Sequence, residues 1–178
     1  MKANALKEIF PVIFITLVVF VSVALVSGTD SITKDKIAYQ IDQKIQGMLV
    51  ETFPDMNEYT FTDDIYTIYS DDTLVGYAFL ATGKGYGGDI DILVGLEDEQ
   101  TLKGITIVTQ SETPGLGSKI IESSFVSEFV GANIDDIFLK KDGGQIDAIT
   151  GASISSEAVV DVVRNTAMEK VKSLKERE

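Results

Sequence analysis

The sequence contains no cysteine, no histidine and no tryptophan, and only 3 prolines among its 178 residues. Without thiols and imidazoles there can be no disulfide, thiolate-ligated Fe–S cluster, CxxCH haem attachment, Cys/His zinc site, Cys nucleophile or Ser-His-Asp triad. Chemistry is left to carboxylates, hydroxyls, Lys, Arg, Tyr and backbone groups. Either a cofactor brings the reactivity or the chain has little of it. Positive charge is also scarce: 15 Lys+Arg stand against 28 Asp+Glu, a net −13. So acidic a surface repels phosphate backbones and argues against a nucleic-acid partner. The length suits one domain plus a tail.

The one long apolar run lies near the start. Ile9 to Thr29 holds 21 consecutive uncharged residues dominated by Ile, Val, Leu and Phe. As a helix it would be about 30 Å long, the thickness of a bilayer's hydrocarbon core. Pro11 falls in its first turn, where a missing N–H does no harm. The run predicts a single transmembrane anchor over 9–29 behind a short tail at 1–8. A cleaved signal peptide is the alternative, because Ser22-Val23-Ala24 is a small-x-small site and Lys2 and Lys7 make a basic flank. The run is longer than an ordinary signal core, however, and no lipobox cysteine follows. Lys34, Lys36 and Lys44 lie beyond the other end, so positive-inside counting favours neither side strongly. The expected arrangement is single-pass in the cell (inner) membrane, with the domain on the extracytoplasmic side. With Lys2, Lys7 and Glu8 set aside, the remainder carries 13 basic and 27 acidic side chains, a net −14. Such an excess usually belongs to a solvated face.

Beyond the apolar run the periodicity changes twice. An N-cap at Ser31 or Thr33, then Ile37, Ile41, Ile45 and Met48/Leu49, predicts a membrane-proximal helix reaching Glu51, in a connecting region spanning 30–60. From Asp64 the period becomes two. Ile65–Tyr69 and Leu74–Ala81 read as strands around the turn Ser70-Asp71-Asp72, and a Gly-rich break follows at Gly83–Gly88. Ile90, Ile92, Val94 and Leu96 alternate with Asp89, Asp91 and Gly95, and a last strand covers Leu102–Thr109. Ile120, Ile121, Phe125 and Phe129 suggest a short helix ending at Gly131. Val160, Val163, Ala167, Val171 and Leu174 form the apolar stripe of a final helix whose last turns are basic, as the dipole favours. An antiparallel sheet flanked by segregated helices is an α+β domain, expected over 61–178.

Two loops carry more than a turn requires. In Glu112-Thr113-Pro114-Gly115-Leu116-Gly117-Ser118-Lys119-Ile120, Pro-Gly suits the centre of a type II turn and Gly117 permits close backbone approach. The plain account is a strand-to-helix turn with Ser118 as N-cap. Asp147-Ala148-Ile149-Thr150-Gly151-Ala152-Ser153 opens directly into the final helix, with Ser155 or Ser156 available as its cap. A hydroxyl at Ser153, beside small residues and before a helix N-terminus, would sit among unpaired N–H groups that favour a phosphate. The GxxxxGK[ST] pattern of a P-loop is absent.

These two loops resemble the signature blocks of the FMN-binding domain family. Asp147-x-x-Thr150-Gly151-Ala152-Ser153 is similar to its D-x-x-[ST]-G-A-[ST], in which a flavin transferase joins FMN to the last hydroxyl by a phosphoester. Glu112 to Ile120 is similar to its E-T-P-G-L-G-x-K-I block, and Gly85-Tyr86-Gly87-Gly88 also fits. The likeness covers roughly residues 75 to 165. Within the family, so compact a chain looks more like the G subunits of Rnf-type complexes than the longer C subunits of Na+-translocating NADH:quinone reductases.

The resemblance implies covalent FMN on Ser153. It also implies that Thr150, Gly151 and Ala152 shape the phosphate and ribityl end, and that Asp147 engages the transferase or its metal. Glu112, Thr113, Leu116, Gly117 and Lys119 would lie along the flavin. Two positions depart from the family: the acceptor is more often Thr, and many relatives carry a His where this chain has Gln110-Ser111. The implied role is an electron-carrying subunit of an ion-translocating ferredoxin:NAD+ oxidoreductase complex, a translocase, with no substrate turnover, catalytic residue or metal of its own. Its partners would be Fe–S subunits and a second flavinylated membrane subunit. A stand-alone extracytoplasmic flavinylated relay and a flavin-free scaffold or sensor domain are the alternatives, separated from it by co-purifying partners and by occupancy at Ser153.

Overall fold

The structure, a computed structural model, describes residues 11, 14–23 and 43–176. The chain divides into two compact units, Met1–Lys44 and Ile45–Glu178. In the first, residues 14–23 are helical and exposed. Among the described residues no helix is long and apolar enough to cross a membrane. Much of the span predicted at 9–29, and the caps predicted at Ser31 or Thr33, lie outside the described residues.

The second unit is built on an antiparallel meander. Its strands are β1 (Glu58–Thr62), β2 (Ile65–Ser70), β3 (Thr73–Lys84), β4 (Asp89–Leu96) and β5 (Leu102–Gln110), lying side by side in chain order. The turns at Asp63-Asp64 and Asp71-Asp72 are two-residue hairpins with φ of 52°, 62°, 48° and 62°. Both central residues left-handed is the turn whose twist matches that of the strands, and Asp is among the few side chains that tolerate it. Strand β1 has no counterpart in the sequence reading. Its alternation, Tyr59 and Phe61 against Glu58, Thr60 and Thr62, lasts only five residues, and almost all of them are exposed. It is held instead by aromatic contacts, with the Phe61 and Tyr66 ring centroids 4.4 Å apart and those of Tyr59 and Tyr66 5.8 Å apart.

Both faces of the sheet are covered. Phe79, Ala81, Ile90, Ile92, Val94, Leu96, Leu102 and Ile105 pack into one core with Val159, Val160, Val163, Ala167 and Val171 of the C-terminal helix Ser153–Lys175. Ile68, Ala78, Leu93 and Val108 form a second core with Ile45, Leu49 and Phe53, contributed by the helix over 43–52 and the residue after it. The expected stripe of the C-terminal helix holds, except that Leu174 is only half-buried and Val159 joins it. The helix presses onto β3 at Gly83, where a Cβ would come within 2.9 Å of Val162 Cγ1.

Between β5 and that helix the chain is mostly single turns. The short helix expected to run to Gly131 is broken once, at Glu122, which is extended (φ −68°, ψ 141°): the turn Gly117–Ile121 lies before it, and Ser123–Val126 runs on into the tighter turn Ser127–Phe129 after it. Ile120, Phe125 and Phe129 point inward as expected, but Ile121 is exposed.

Leu49 is fully buried against the second face. Leu49→Ala is therefore expected to cost about 2–5 kcal/mol of stability, read as a lowered urea midpoint with an unchanged slope. A loss below about 0.5 kcal/mol, the range of ordinary surface substitutions, would mean that the 43–52 helix is not part of the folded unit.

Candidate functional site

Three segments converge at one end of the sheet: the β3–β4 turn, the loop after β5 and the start of the C-terminal helix. They enclose an open cleft of ≈ 520 Å³ lined by Tyr86, Thr113, Leu116, Gly117, Gly151, Ala152, Ser153, Ile154 and Ser155. Its size is within the range of small-molecule and cofactor sites. Three apolar side chains stand exposed around it, Tyr86 at 70%, Leu116 at 46% and Ile154 at 58%.

The post-β5 loop turns as its sequence requires. Leu116 N–H donates to Thr113 O at 3.2 Å, and Gly115, third in that turn, has φ +74°. Ser118 does not cap a helix. Its Oγ accepts from Gly115 N–H at 2.9 Å, so the hydroxyl closes the turn instead. Gly117 admits the chain behind the cleft: a Cβ there would lie 2.7 Å from both Glu112 Oε2 and Ser155 Oγ.

The C-terminal helix begins one turn earlier than Ser155 or Ser156 would allow as caps. Its N-cap is Ala152 (φ −135°, ψ 38°), and no side chain caps it. The two serines do other work. Ser156 Oγ accepts from Ile149 N–H and donates to Ala152 O, both at 3.0 Å, and so fastens the preceding loop to the first turn. Ser155 donates to the Glu112 carboxylate. The first amides of a 23-residue helix are thus left without a side-chain acceptor beside the cleft, where an anion is favoured. Ser153, exposed, is the first residue of that helix. Gly151 has φ +80°, and a Cβ on it would approach Leu116 Cδ2 to 3.3 Å.

Glu112 lies behind the cleft wall, 5% exposed. Its Oε1 accepts from Gly87 N–H at 2.9 Å, its Oε2 accepts from Ser155, and its own N–H donates to Gln110 Oε1 at 2.6 Å. Burial pushes the carboxyl pKa up, but the Ser155 hydroxyl and the amides of Gly87, Tyr86 and Gly88 outweigh it and hold it below the ordinary value.

Of the ten residues singled out in the sequence, Thr113, Leu116, Gly117, Gly151, Ala152 and Ser153 line the cleft together. Thr150 is exposed just outside it, and Lys119 is exposed on the Gly117–Ile121 turn. Asp147 is also outside, bound to Lys140 Nζ at 2.5 Å, while its N–H donates to Glu128 Oε2 at 2.6 Å. That contact with Asp147 raises the Lys140 pKa. Sequence reasoning misses three lining residues. Tyr86 is legible only as part of the Gly-rich break, and Ile154 and Ser155 only as residues of the helix start.

Residues 85–168 match the FMN-binding domain family, a range that contains every residue lining the cleft. The G subunit of the ion-translocating oxidoreductase complex of Vibrio vulnificus is 31% identical over 179 residues, covering 85% of each chain. Its counterpart in Shewanella baltica is 32% identical over 191 residues, covering 93% of this chain and 89% of its own. Among solved structures, the C subunit of the Na(+)-translocating NADH-quinone reductase from Parabacteroides distasonis superposes with a TM-score of 0.50 at 28% identity, over 61% of this chain and 60% of that one.

A carboxyl whose pKa is lowered on folding stabilises the fold fully above its unfolded value, about 4.3, and that contribution is lost as pH falls through the folded value. The gap in thermal unfolding midpoint between wild type and Glu112→Gln should therefore be constant near neutral pH and shrink below about pH 4. A gap that widens on acidification would mean that Glu112 folds as the neutral acid.

Proposed function

Because this chain belongs to the family formed by the G subunits of ion-translocating oxidoreductase complexes, we propose that it is an electron-carrying subunit of such a complex, holding FMN in the cleft beside Ser153. The observation that carries this reading is the helix start: an uncapped N-terminus, an exposed Ser at its first position, and an apolar-rimmed cleft beside both. The residues fit the group. The amides of the first helical turn and the dipole behind them favour a phosphate, and Gly151 and Ala152 leave room for it. Tyr86, Leu116 and Ile154 offer exposed apolar surface to a planar ring.

FMN accepts one or two electrons, which suits a chain of single-electron centres. The protein's own task is to hold the group, fix its orientation and shape the field around it. We assign the attachment to Ser153 Oγ as a phosphoester, formed with loss of water overall relative to free FMN and brought about by a flavin transferase. We assign Asp147, which is exposed outside the cleft, to engagement of that transferase rather than of the bound flavin. The apolar run over 9–29 serves as a single-pass anchor, with the domain on the extracytoplasmic side. Covalent attachment keeps the flavin where free FMN would be lost. The partners are the membrane and Fe–S subunits of an ion-translocating assembly, the chain contributing an electron-transfer step to a translocase.

Intact mass of the protein isolated from its native membrane should exceed the sequence mass by FMN less water, with the increment on the Ser153 peptide. Ser153→Ala should abolish in-gel flavin fluorescence while the domain still folds, since Ser153 is exposed and such changes cost little. Covalent fluorescence retained in that variant would move the acceptor elsewhere. A bare wild-type chain, even after co-expression with a flavin transferase, would favour the scaffold reading. Asp147→Ala should reduce attachment far more than stability, because its ion pair with Lys140 is exposed and contributes little to folding. Equal loss of both would make Asp147 structural.

A further inference from the structure

Glu112 is the one charged side chain that is buried among the described residues. It has no ion-pair partner among them; the donors turned toward it are a hydroxyl and backbone amides, all neutral. Burying a carboxylate with only dipoles around it costs several kcal/mol before those dipoles compensate. Shape does not require the charge. A glutamine would fill the same space, accept from Gly87 N–H with its carbonyl oxygen and donate to Ser155 Oγ, whose hydroxyl can rotate. The hydroxyl and amides that face it outweigh the cost of burial and so hold a negative charge at a point that a neutral isostere could also fill. Its place is specific: Gly117 and Ser155 both touch it, and both line the cleft.

We propose that Glu112 is a positioning residue that acts through its charge, lowering the reduction potential of the flavin in the cleft from behind the Gly117–Ser155 wall. This rests on the flavin reading above. Two-electron reduction with uptake of one proton leaves the isoalloxazine ring one unit more negative than before. A fixed anion separated from it by protein rather than water opposes that gain. The hydrogen bond adds to the effect. Because Ser155 spends its proton on Glu112, it can offer the cleft only acceptor lone pairs, and these do not favour a more negative ring. With Gln at 112 the charge is removed and the Ser155 O–H is released to donate toward the cleft. Both changes favour the reduced state.

The test uses the full-length chain loaded with FMN, as wild type, Glu112→Gln and Glu112→Asp. Flavin content is read by mass and midpoint potential by spectroelectrochemical titration, with dithionite supplying the electrons. With each potential read on the flavin-loaded fraction, the expected result is an upward shift in Glu112→Gln and a potential close to wild type in Glu112→Asp, which keeps the charge. An unchanged or lower potential in Glu112→Gln overturns the proposal, as does an equal upward shift in both variants, which would assign the effect to shape. A wild-type chain that takes up no FMN overturns the flavin reading and this inference with it, and so is distinct from a loaded chain with an unmoved potential. Should Glu112→Gln fail to fold, an NMR titration of the wild-type Glu112 side-chain carbon decides: an ionised carboxyl at neutral pH supports the proposal and a protonated one overturns it.

Discussion

One carboxylate holds the working end of this domain together. Glu112 reaches from the loop after β5 to the backbone of the β3–β4 turn at Gly87 and to the first turn of the C-terminal helix at Ser155. These contacts join segments 25 and 43 residues away in sequence. The glycines around it are there because nothing larger fits. A Cβ at Gly85 would overlap Glu112 Oε1, and one at Gly117 would lie 2.7 Å from Oε2. Such an arrangement is cooperative by construction. Remove one donor and a buried charge is left under-solvated, so the three segments hold their positions together or not at all.

The rest of the fold delivers those segments to one place. The meander sets β3, β4 and β5 side by side, which brings the Gly85–Gly88 turn next to the loop leaving β5. The long helix is laid across the sheet by its Val and Ala stripe, and the absence of a side chain at Gly83 lets it come close. Its N-terminus then falls beside the other two segments. The helix over 43–52 takes no part in the cleft, but by covering the opposite face it allows β4 to be buried on both sides from Leu93 onward. The site is therefore built on rigid elements, and its only irregular parts are short loops tied down by Ser118, Ser156 and Glu112.

Much of this is legible in the sequence, and what is not has physical reasons. Strands β2 to β5 announce themselves by period-two alternation. The Thr113–Leu116 turn follows from Pro-Gly, and the C-terminal helix from its stripe. Strand β1 is easily passed over because its alternation of Tyr59 and Phe61 with Glu58, Thr60 and Thr62 spans only five residues, almost all of them exposed. The capping roles expected of Ser118, Ser155 and Ser156 fail because cap preference is a local statistic. Here each hydroxyl is claimed by a particular partner: Gly115 N–H, Glu112 and the Ile149–Ala152 loop respectively. No local rule shows that a serine at 155 meets a glutamate at 112. The site residues named from the motif gather well, but the motif does not separate cleft lining from support. Glu112 stands behind the wall, and Asp147 outside it, paired with Lys140.

The uncapped helix start and the open cleft make sense as a pair. A Ser, Thr, Asp or Asn at the N-cap would stabilise the long helix by about 1 kcal/mol, yet Ala152 occupies that position and the nearby hydroxyls are engaged elsewhere. The amides left open in this way would suit a phosphate group. An open cleft, however, removes less of a ligand's surface from water than a closed one, and affinity depends on that surface and on preorganised polar contacts. On the proposed reading the two features answer each other. A phosphoester at Ser153 supplies retention that does not depend on enclosure, and the helix amides then need only orient the phosphate. The cleft is free to stay open on the side from which electrons arrive and leave. Enclosure would strengthen binding but would also add protein between the ring and its partners, and a carrier has no use for that.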